Sequence, residues 1–442
     1  MTRKLKVTGG IPLDGEVRTA GSKNAALPIM AAALMTREPC RLRNVPLLAD
    51  VDNALAILSD LGVVVTRGEE GEVTLDASVE PRSEVPEARA RRMRASILFM
   101  GPLLARTGRA VVPRPGGDDI GMRRVEQHVY GLLQLGATIR EEGESFVCVA
   151  EDGLRGAEIN LDMPTVTGTE NLLMAAIVAE GRTTILNAAR EPHVADLALA
   201  LKSMGAEIRG AGTDRIEIEG GTHLHGIDHR VTPDYLEAGT YALAAAAAGG
   251  DVYITDAPVA DLRPLVLKLR HAGVTVEAGP TWLKVHREST LSPVDLITWT
   301  HPGFATDLQP QYTALMTQAG GDSVIQEFLF ENRFSYITEL RRMGAQVELA
   351  AHGRSIRVSG PSRLRAAELT IPDIRSGAAL LIAALCADGV SRLDGVEHLE
   401  RGYEDMTGKL SRLGAQVEEV DGDSGPEGAP PSPAGAPAGA TE

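Results

Sequence analysis

The chain has 442 residues, 43% of them hydrophobic but only 3% aromatic, and a formal net charge of −16. That length exceeds one ordinary core and predicts two domains of roughly 200 residues, their interiors filled by Ala, Leu, Val and Ile. The acidic balance excludes a general nucleic-acid binder, since phosphate contacts need a basic surface; a local cationic pocket would stand out against it.

Residues 1–6 lack the apolar stretch of a signal peptide. A strand follows at residues 4–8, and then an apolar helix that opens at Lys23-Asn24 and ends near Thr36. An amphipathic helix ends at Leu61-Gly62 before a strand. The same order then recurs. Apolar helices open at Arg94-Ala95-Ser96, Thr169-Glu170-Asn171, Glu237 with Thr240, Asp307 to Gln311, and Asp373-Ile374-Arg375-Ser376. Amphipathic helices end at Gly136, Gly205, Gly273, Gly344 and Gly414. With Gly62 these glycines lie 74, 69, 68, 71 and 70 residues apart. Each suits a left-handed helix cap, and six at a near-constant period constitute a repeat. Helices apolar on every side are predicted to be buried and the amphipathic series to lie outside them. The stretch 238–250 is too short and too broken by glycine to span a bilayer.

Six α/β units divide as three plus three. Residues 23–231 are expected to form one domain, which carries a loop at 113–124. Residues 1–22 with 232–420 are expected to form the other, the N-terminal strand joining its sheets. Residues 421–442 contain 15 Gly, Pro or Ala and no Lys or Arg, the composition of a disordered tail. Cys40, Cys148 and Cys386 suggest neither disulfides nor a zinc site. His223, His225 and His229 lack ligands at metal-binding spacing. A cytoplasmic protein without a metal or a membrane partner is expected.

The openings of the buried helices combine unpaired N–H groups with Lys23, Arg94 and Arg375, which suits binding of phosphates or carboxylates. Simple surface capping is the alternative. The 113–124 loop, with its glycines, Asp118, Asp119, Arg123 and Arg124, suits a lid that closes on an anion and supplies an acid–base group. Arg333 and Arg401 stand beside aromatics, where an arginine is either a packed surface residue or a ligand.

Several stretches resemble one family in its own order across residues 5–420. They are Gly21-Ser22-Lys23-Asn24, Met93-Arg94-Ala95-Ser96, Pro115-Gly116-Gly117-Asp118, Gly168-Thr169-Glu170-Asn171 and Asn187-Ala188-Ala189-Arg190-Glu191-Pro192. They continue with His301-Pro302-Gly303-Phe304-Ala305-Thr306-Asp307, Phe330-Glu331-Asn332-Arg333, Asp373-Ile374-Arg375-Ser376 and Glu400-Arg401-Gly402-Tyr403. They look like the enolpyruvyl transferases, in the branch that uses UDP-N-acetylglucosamine.

The resemblance implies a two-domain inside-out α/β barrel, with helices buried, sheets outside and substrates between the domains. It implies transfer of the enolpyruvyl group of phosphoenolpyruvate to the 3′-hydroxyl of UDP-N-acetylglucosamine, without metal or organic cofactor, at the start of peptidoglycan precursor synthesis. Lys23, Asn24, Arg94, Arg123, Arg333, Arg375 and Arg401 would hold phosphoenolpyruvate. Asn24, Arg94, Arg123, Arg124, Val125, Glu126, Gln127, Thr165, Thr167, Asp307 and Leu329 would hold the UDP-sugar. Lys23, Asp118, Asp307 and Arg401 would be catalytic, with Asp307 as base and Asp118 as acid where many members carry a cysteine. Asp50, Glu191 and Asp234 also match residues lining the family's cleft. Arg124, Tyr235 and the stretch 163–167 depart from the common pattern and leave the uridine contacts open. The alternatives are a 3-phosphoshikimate 1-carboxyvinyltransferase and an inactive regulatory paralogue.

Overall fold

The computed structural model describes residues 3–421. The last strand, Gln416–Asp421, runs one residue past the expected start of the tail, because Asp421 pairs with Arg3. Residues 422–442, the rest of that expected tail, lie outside the described residues.

The chain is an α/β protein. Among the described residues its strands form six sheets, five of four strands and one of three. One sheet shows the common plan. Glu158–Asn160 runs parallel to Arg182–Leu186, which pairs antiparallel with Arg215–Glu219, and that strand pairs antiparallel with Glu207–Arg209. In the three-stranded sheet the parallel partner is reduced to a bridge between Glu84 and Val111. The Arg3–Thr8 strand lies between Val390–Asp394 and Gln416–Asp421, and Leu13–Arg18 runs parallel to Gly250–Thr255.

Helices Lys23–Ala32, Met100–Thr107, Val166–Val178, Tyr235–Ala248, Gln309–Met316 and Ile374–Leu385 are the inner elements. Every residue of Ile374–Leu385 is buried; beyond Arg375 and Ser376 in its first turn the sequence is glycine, alanine, leucine and isoleucine, with no polar face. Tyr235–Ala248, Gln309–Met316 and Ile374–Leu385 pack on one another, where alanines and glycines let backbones approach. The buried apolar side chains fall into two clusters. One takes residues from Leu5 to Val17 and from Tyr235 to Val417, and the other runs from Ala25 to Val231.

The six repeat glycines, Gly62, Gly136, Gly205, Gly273, Gly344 and Gly414, all have φ between 87° and 109°, a left-handed conformation that a Cβ would strain. The chain passes between the two clusters twice, side by side. Ser22 donates its N–H to Thr232 O (2.8 Å), and Asp234 donates to Ala20 O (2.9 Å). Gly21 lies against Asn44, whose carbonyl oxygen would stand 1.7 Å from an added Cβ, so the crossing admits no side chain there.

Two expected helix openings differ from the structure. Arg94 begins a 3₁₀ turn, Arg94–Phe99, ahead of its helix, and Asp307 lies in the 3₁₀ turn Thr306–Leu308. Both side chains therefore sit before a regular helix rather than on its first turn.

Candidate functional site

The 113–124 loop leaves the strand Arg109–Pro113 and reaches the helix Glu126–Gln134. Gly116 passes so close to Arg91 O that a Cβ would stand 1.8 Å from it, and Gly117 has φ of 106°. Beyond these glycines the loop crosses to the other cluster. Asn332 donates from Nδ2 to Asp119 O (3.1 Å) and from its backbone to Ile120 O (3.2 Å). Met122 N–H donates to Glu331 Oε1 at 2.6 Å. The loop is thus docked against the segment that carries Arg333.

Under the loop, two charge systems meet. In the first, Asp50 joins both halves. Its Oδ2 accepts from Lys23 Nζ (3.2 Å) and its Oδ1 from Arg401 Nε (3.0 Å). Arg401 Nη1 reaches on to Asp118 Oδ1 at 2.5 Å, and His398 Nδ1 lies 3.9 Å from the same oxygen. In the second, Asp307 Oδ1 accepts from Arg333 Nη2 (2.7 Å) and Oδ2 from Arg375 Nε (3.1 Å). Arg333, only 2% exposed, is anchored through Nε and Nη2 to Thr306 O. Arg375 is 4% exposed, with its guanidinium 5.2 Å over the Tyr403 ring.

The electrostatics follow from this packing. Burial alone would push the Asp307 carboxyl up, but Arg375, Arg333 and Lys23 outweigh it and hold the group below the usual carboxylate range. Burial depresses the pKa of Arg123; Asp307 and Asp118 favour its charge, and Arg333 and Arg401 oppose it. Arg94 donates to Arg123 O; burial, with the Arg123 charge beside it, lowers its pKa to about 10. Lys23, Arg94, Arg123, Arg333, Arg375 and Arg401 therefore outnumber the carboxyl groups set among them, Asp50, Asp118, Asp234 and Asp307.

Asn24 is half-buried at the start of the Lys23–Ala32 helix. Arg124 is exposed, its Nε on Met122 Sδ, and takes no part in the charge systems. Val125 caps the helix whose first residue is the exposed Glu126. Gln127 exchanges two hydrogen bonds with Asp162, donating at 3.1 Å and accepting at 3.0 Å. Thr165 caps Val166–Val178 by accepting from Gly168 N, and Thr167 sits on that helix's first turn. Leu329 donates its N–H to Glu327 Oε1 at 2.8 Å.

A buried polar set lies alongside, in which sequence reasoning had named Glu170 and Glu237 at helix openings and Glu191 in the cleft but missed His128, His193 and Lys409. Burial raises the Glu170 and Glu191 carboxyls, and one oxygen of each has no protein partner among the described residues. Burial lowers His193 to about 4. Glu237 accepts from Lys409 Nζ (2.6 Å) and from Ala20 N (2.7 Å) beside the chain crossing. Burial raises Glu237 to about 7 against the pull of Lys409. His128 bridges Thr167 and Asn171, residues 39 and 43 positions away, so no local spacing marked it. The only signal was the polar opening Thr169-Glu170-Asn171 on a helix otherwise apolar.

The family model described as EPSP synthase (3-phosphoshikimate 1-carboxyvinyltransferase) matches residues 7–422. Proteins named UDP-N-acetylglucosamine 1-carboxyvinyltransferase 1 from Carboxydothermus hydrogenoformans and Staphylococcus aureus are each 44% identical over 420 residues, 95% of this chain and 99% of the relative. Among solved structures, the enolpyruvyl transferase NikO from Streptomyces tendae superposes with a TM-score of 0.86 at 28% identity, over 95% of this chain and 99% of that one. EPSP synthase from Acinetobacter baumannii gives a TM-score of 0.74 at 18% identity, over 95% and 100%, a likeness of fold.

Proposed function

The chain belongs to the EPSP synthase-type family of enolpyruvyl transferases, and from that membership we infer that it transfers the enolpyruvyl group of phosphoenolpyruvate to the 3′-hydroxyl of UDP-N-acetylglucosamine. Phosphate is released, and the product is a peptidoglycan precursor. The near full-length relatives at 44% identity support this substrate pair over shikimate 3-phosphate. The observation that carries the chemistry is the convergence of Lys23, Arg401, Arg333 and Arg375 around three carboxyl groups, Asp50, Asp118 and Asp307. An inactive paralogue would have no use for so costly a set of buried charges.

Phosphoenolpyruvate carries a phosphate and a carboxylate, and the surplus of cations matches it. The sugar oxygen attacks C2 while C3 takes up a proton and becomes a methyl group. Loss of phosphate and of one methyl proton then restores the vinyl group on the new ether. Asp307 is the base for the sugar hydroxyl. Clamped by two guanidiniums it is a weak one; anionic substrate that engages Arg333 and Arg375 relaxes the clamp and restores its basicity. Asp118 is the acid at C3. Arg401 Nη1, 2.5 Å from its Oδ1, fixes where that carboxyl stands.

The two apolar clusters serve as two domains, 23–231 and 1–22 with 232–420. Their six units form an inside-out α/β barrel with the 113–124 loop as lid. A UDP-sugar substrate places the enzyme in the cytoplasm, and no helix among the described residues is long and apolar enough to cross a membrane. The test is phosphate release from phosphoenolpyruvate with UDP-N-acetylglucosamine or with shikimate 3-phosphate as acceptor. Turnover with the sugar nucleotide alone is expected. Turnover with shikimate 3-phosphate alone, or with neither, overturns the reading.

A further inference from the structure

Two carboxylates outside the charge systems each grip a backbone N–H across the cleft. Glu404 Oε2 accepts from Leu47 N at 2.7 Å, and Glu331 Oε1 accepts from Met122 N at 2.6 Å. Both carboxylates come from the 232–420 stretch and both amides from the 23–231 stretch. Leu47 and Met122 are 64% and 65% exposed, so neither contact is a by-product of core packing.

Glu404 stands three residues beyond Arg401, and Leu47 stands three residues before Asp50. The Arg401–Asp50 pair and the Glu404–Leu47 bond therefore dock one short segment on the other at two points. The turn that presents Arg401 and Glu404 is fixed from its own side. Tyr403 OH accepts from Gln311 Nε2 (3.0 Å), and a Cβ on Gly402 would stand 2.4 Å from Ile374 Cγ2. Asp405, with φ of 46°, caps the next helix by accepting from Gly408 N at 3.1 Å. On the facing side the Ala49–Leu61 helix begins at Leu48, a cap residue with no side-chain acceptor. Glu404 brings negative charge to that positive helix end. At the lid, Gly121 has φ of 126° and a Cβ there would stand 2.7 Å from Glu331 Oε2. The Met122 N–H holds the Glu331 carboxyl below the usual carboxylate range.

We propose that Glu404 and Glu331 are positioning residues, two clasps that fasten the facing segments over bound substrate. Glu404 sets Arg401 against Asp50, and Glu331 seats the lid that carries Asp118. This rests on the function proposed above. The bonds are made alike in the ground state and the transition state of the closed enzyme. Their loss therefore raises KM and leaves kcat in place, unlike loss of a group that meets the reacting atoms.

The experiment reads amide hydrogen exchange at Leu47 and Met122 by NMR of the full chain, free and with UDP-N-acetylglucosamine, beside steady-state kinetics. Glu404→Ala should speed exchange at Leu47 about tenfold, and Glu331→Ala should do the same at Met122. The KM for phosphoenolpyruvate should rise about fivefold in each variant and about 25-fold in the pair, with kcat within about twofold. Glu404→Gln and Glu331→Gln keep an acceptor oxygen and should hold KM within about twofold of wild type. Unaltered exchange in both alanine variants overturns the proposal. So does a fall in kcat at constant KM, which is what a smaller folded fraction would give. Failure of the wild-type chain to turn over UDP-N-acetylglucosamine overturns instead the function on which it rests, and exchange in the free chain still reads the clasps.

Discussion

Replacing Asp307 by Asn separates charge from shape at the centre of the second charge system. The amide keeps one acceptor oxygen but leaves Arg333 and Arg375, 2% and 4% exposed, without their counter-charge. Breaking a buried pair costs about 3–5 kcal/mol; because the Asp307 side chain is 28% exposed, the lower end, about 3 kcal/mol, applies. The pH dependence has a definite sign. The folded carboxyl is held below its unfolded value of about 3.9, so its contribution is fully present above that value and is lost as pH falls below it. The stability gap between wild type and Asp307→Asn, read from denaturant unfolding, should be constant near neutrality and shrink toward acid. Turnover should fall by at least about a hundredfold, since an amide cannot take the hydroxyl proton. Phosphoenolpyruvate should bind more tightly, because it no longer competes with a carboxylate for the two guanidiniums. Turnover within about threefold of wild type would refute the assignment of the base, and an unaltered unfolding midpoint would refute the electrostatic account.

Asp118→Asn should lose about 10²–10⁴-fold in kcat, whereas Asp118→Cys should stay active and gain time-dependent inactivation by the epoxide fosfomycin, seen as a protein mass increase. The wild-type chain should take up no such adduct: burial raises the thiols of Cys40, Cys148 and Cys386 to about 11, 12 and 12, which leaves them inert. Lys23→Ala and Arg401→Ala should each lower kcat/KM by at least about 10³-fold with the fold intact by circular dichroism, since each leaves substrate anions and Asp50 under-compensated. Lys409→Met strips buried Glu237 of its partner. Glu237 already sits near 7 in the folded chain, so this group's contribution to stability falls as pH rises from about 4.3 toward 7. The variant should therefore lose about 3–5 kcal/mol near pH 8 and less near pH 5.5, where Glu237 takes up a proton. A loss independent of pH would show that the carboxyl is not titrating.

What was legible in the chain is what each short segment decides for itself. Gly62, Gly136, Gly205, Gly273, Gly344 and Gly414 had to be glycines wherever they lay, because each ends a helix in a left-handed turn. Beyond Arg375 and Ser376 the Ile374–Leu385 helix has no polar face and so had to be buried. Motif order then pointed to Lys23, Asp118, Asp307 and Arg401, which the fold brings into the candidate site. The tertiary structure decided the partners. Asp50 meets Arg401 across 351 positions and Asp118 meets it across 283, so neither pairing has a period to read. Arg333, beside aromatics, reads in sequence equally well as a packed surface group. It is buried only because Asp307 and Thr306 O satisfy its guanidinium, and a buried charge is tolerable only where its partners already wait. His128 follows the same logic. An imidazole has no preferred tautomer until its neighbours impose one, and those neighbours, Asn171 and Thr167, come from another helix. Local backbone chemistry repeats and can be read in sequence; the state of a buried polar group belongs to whatever the fold brings against it.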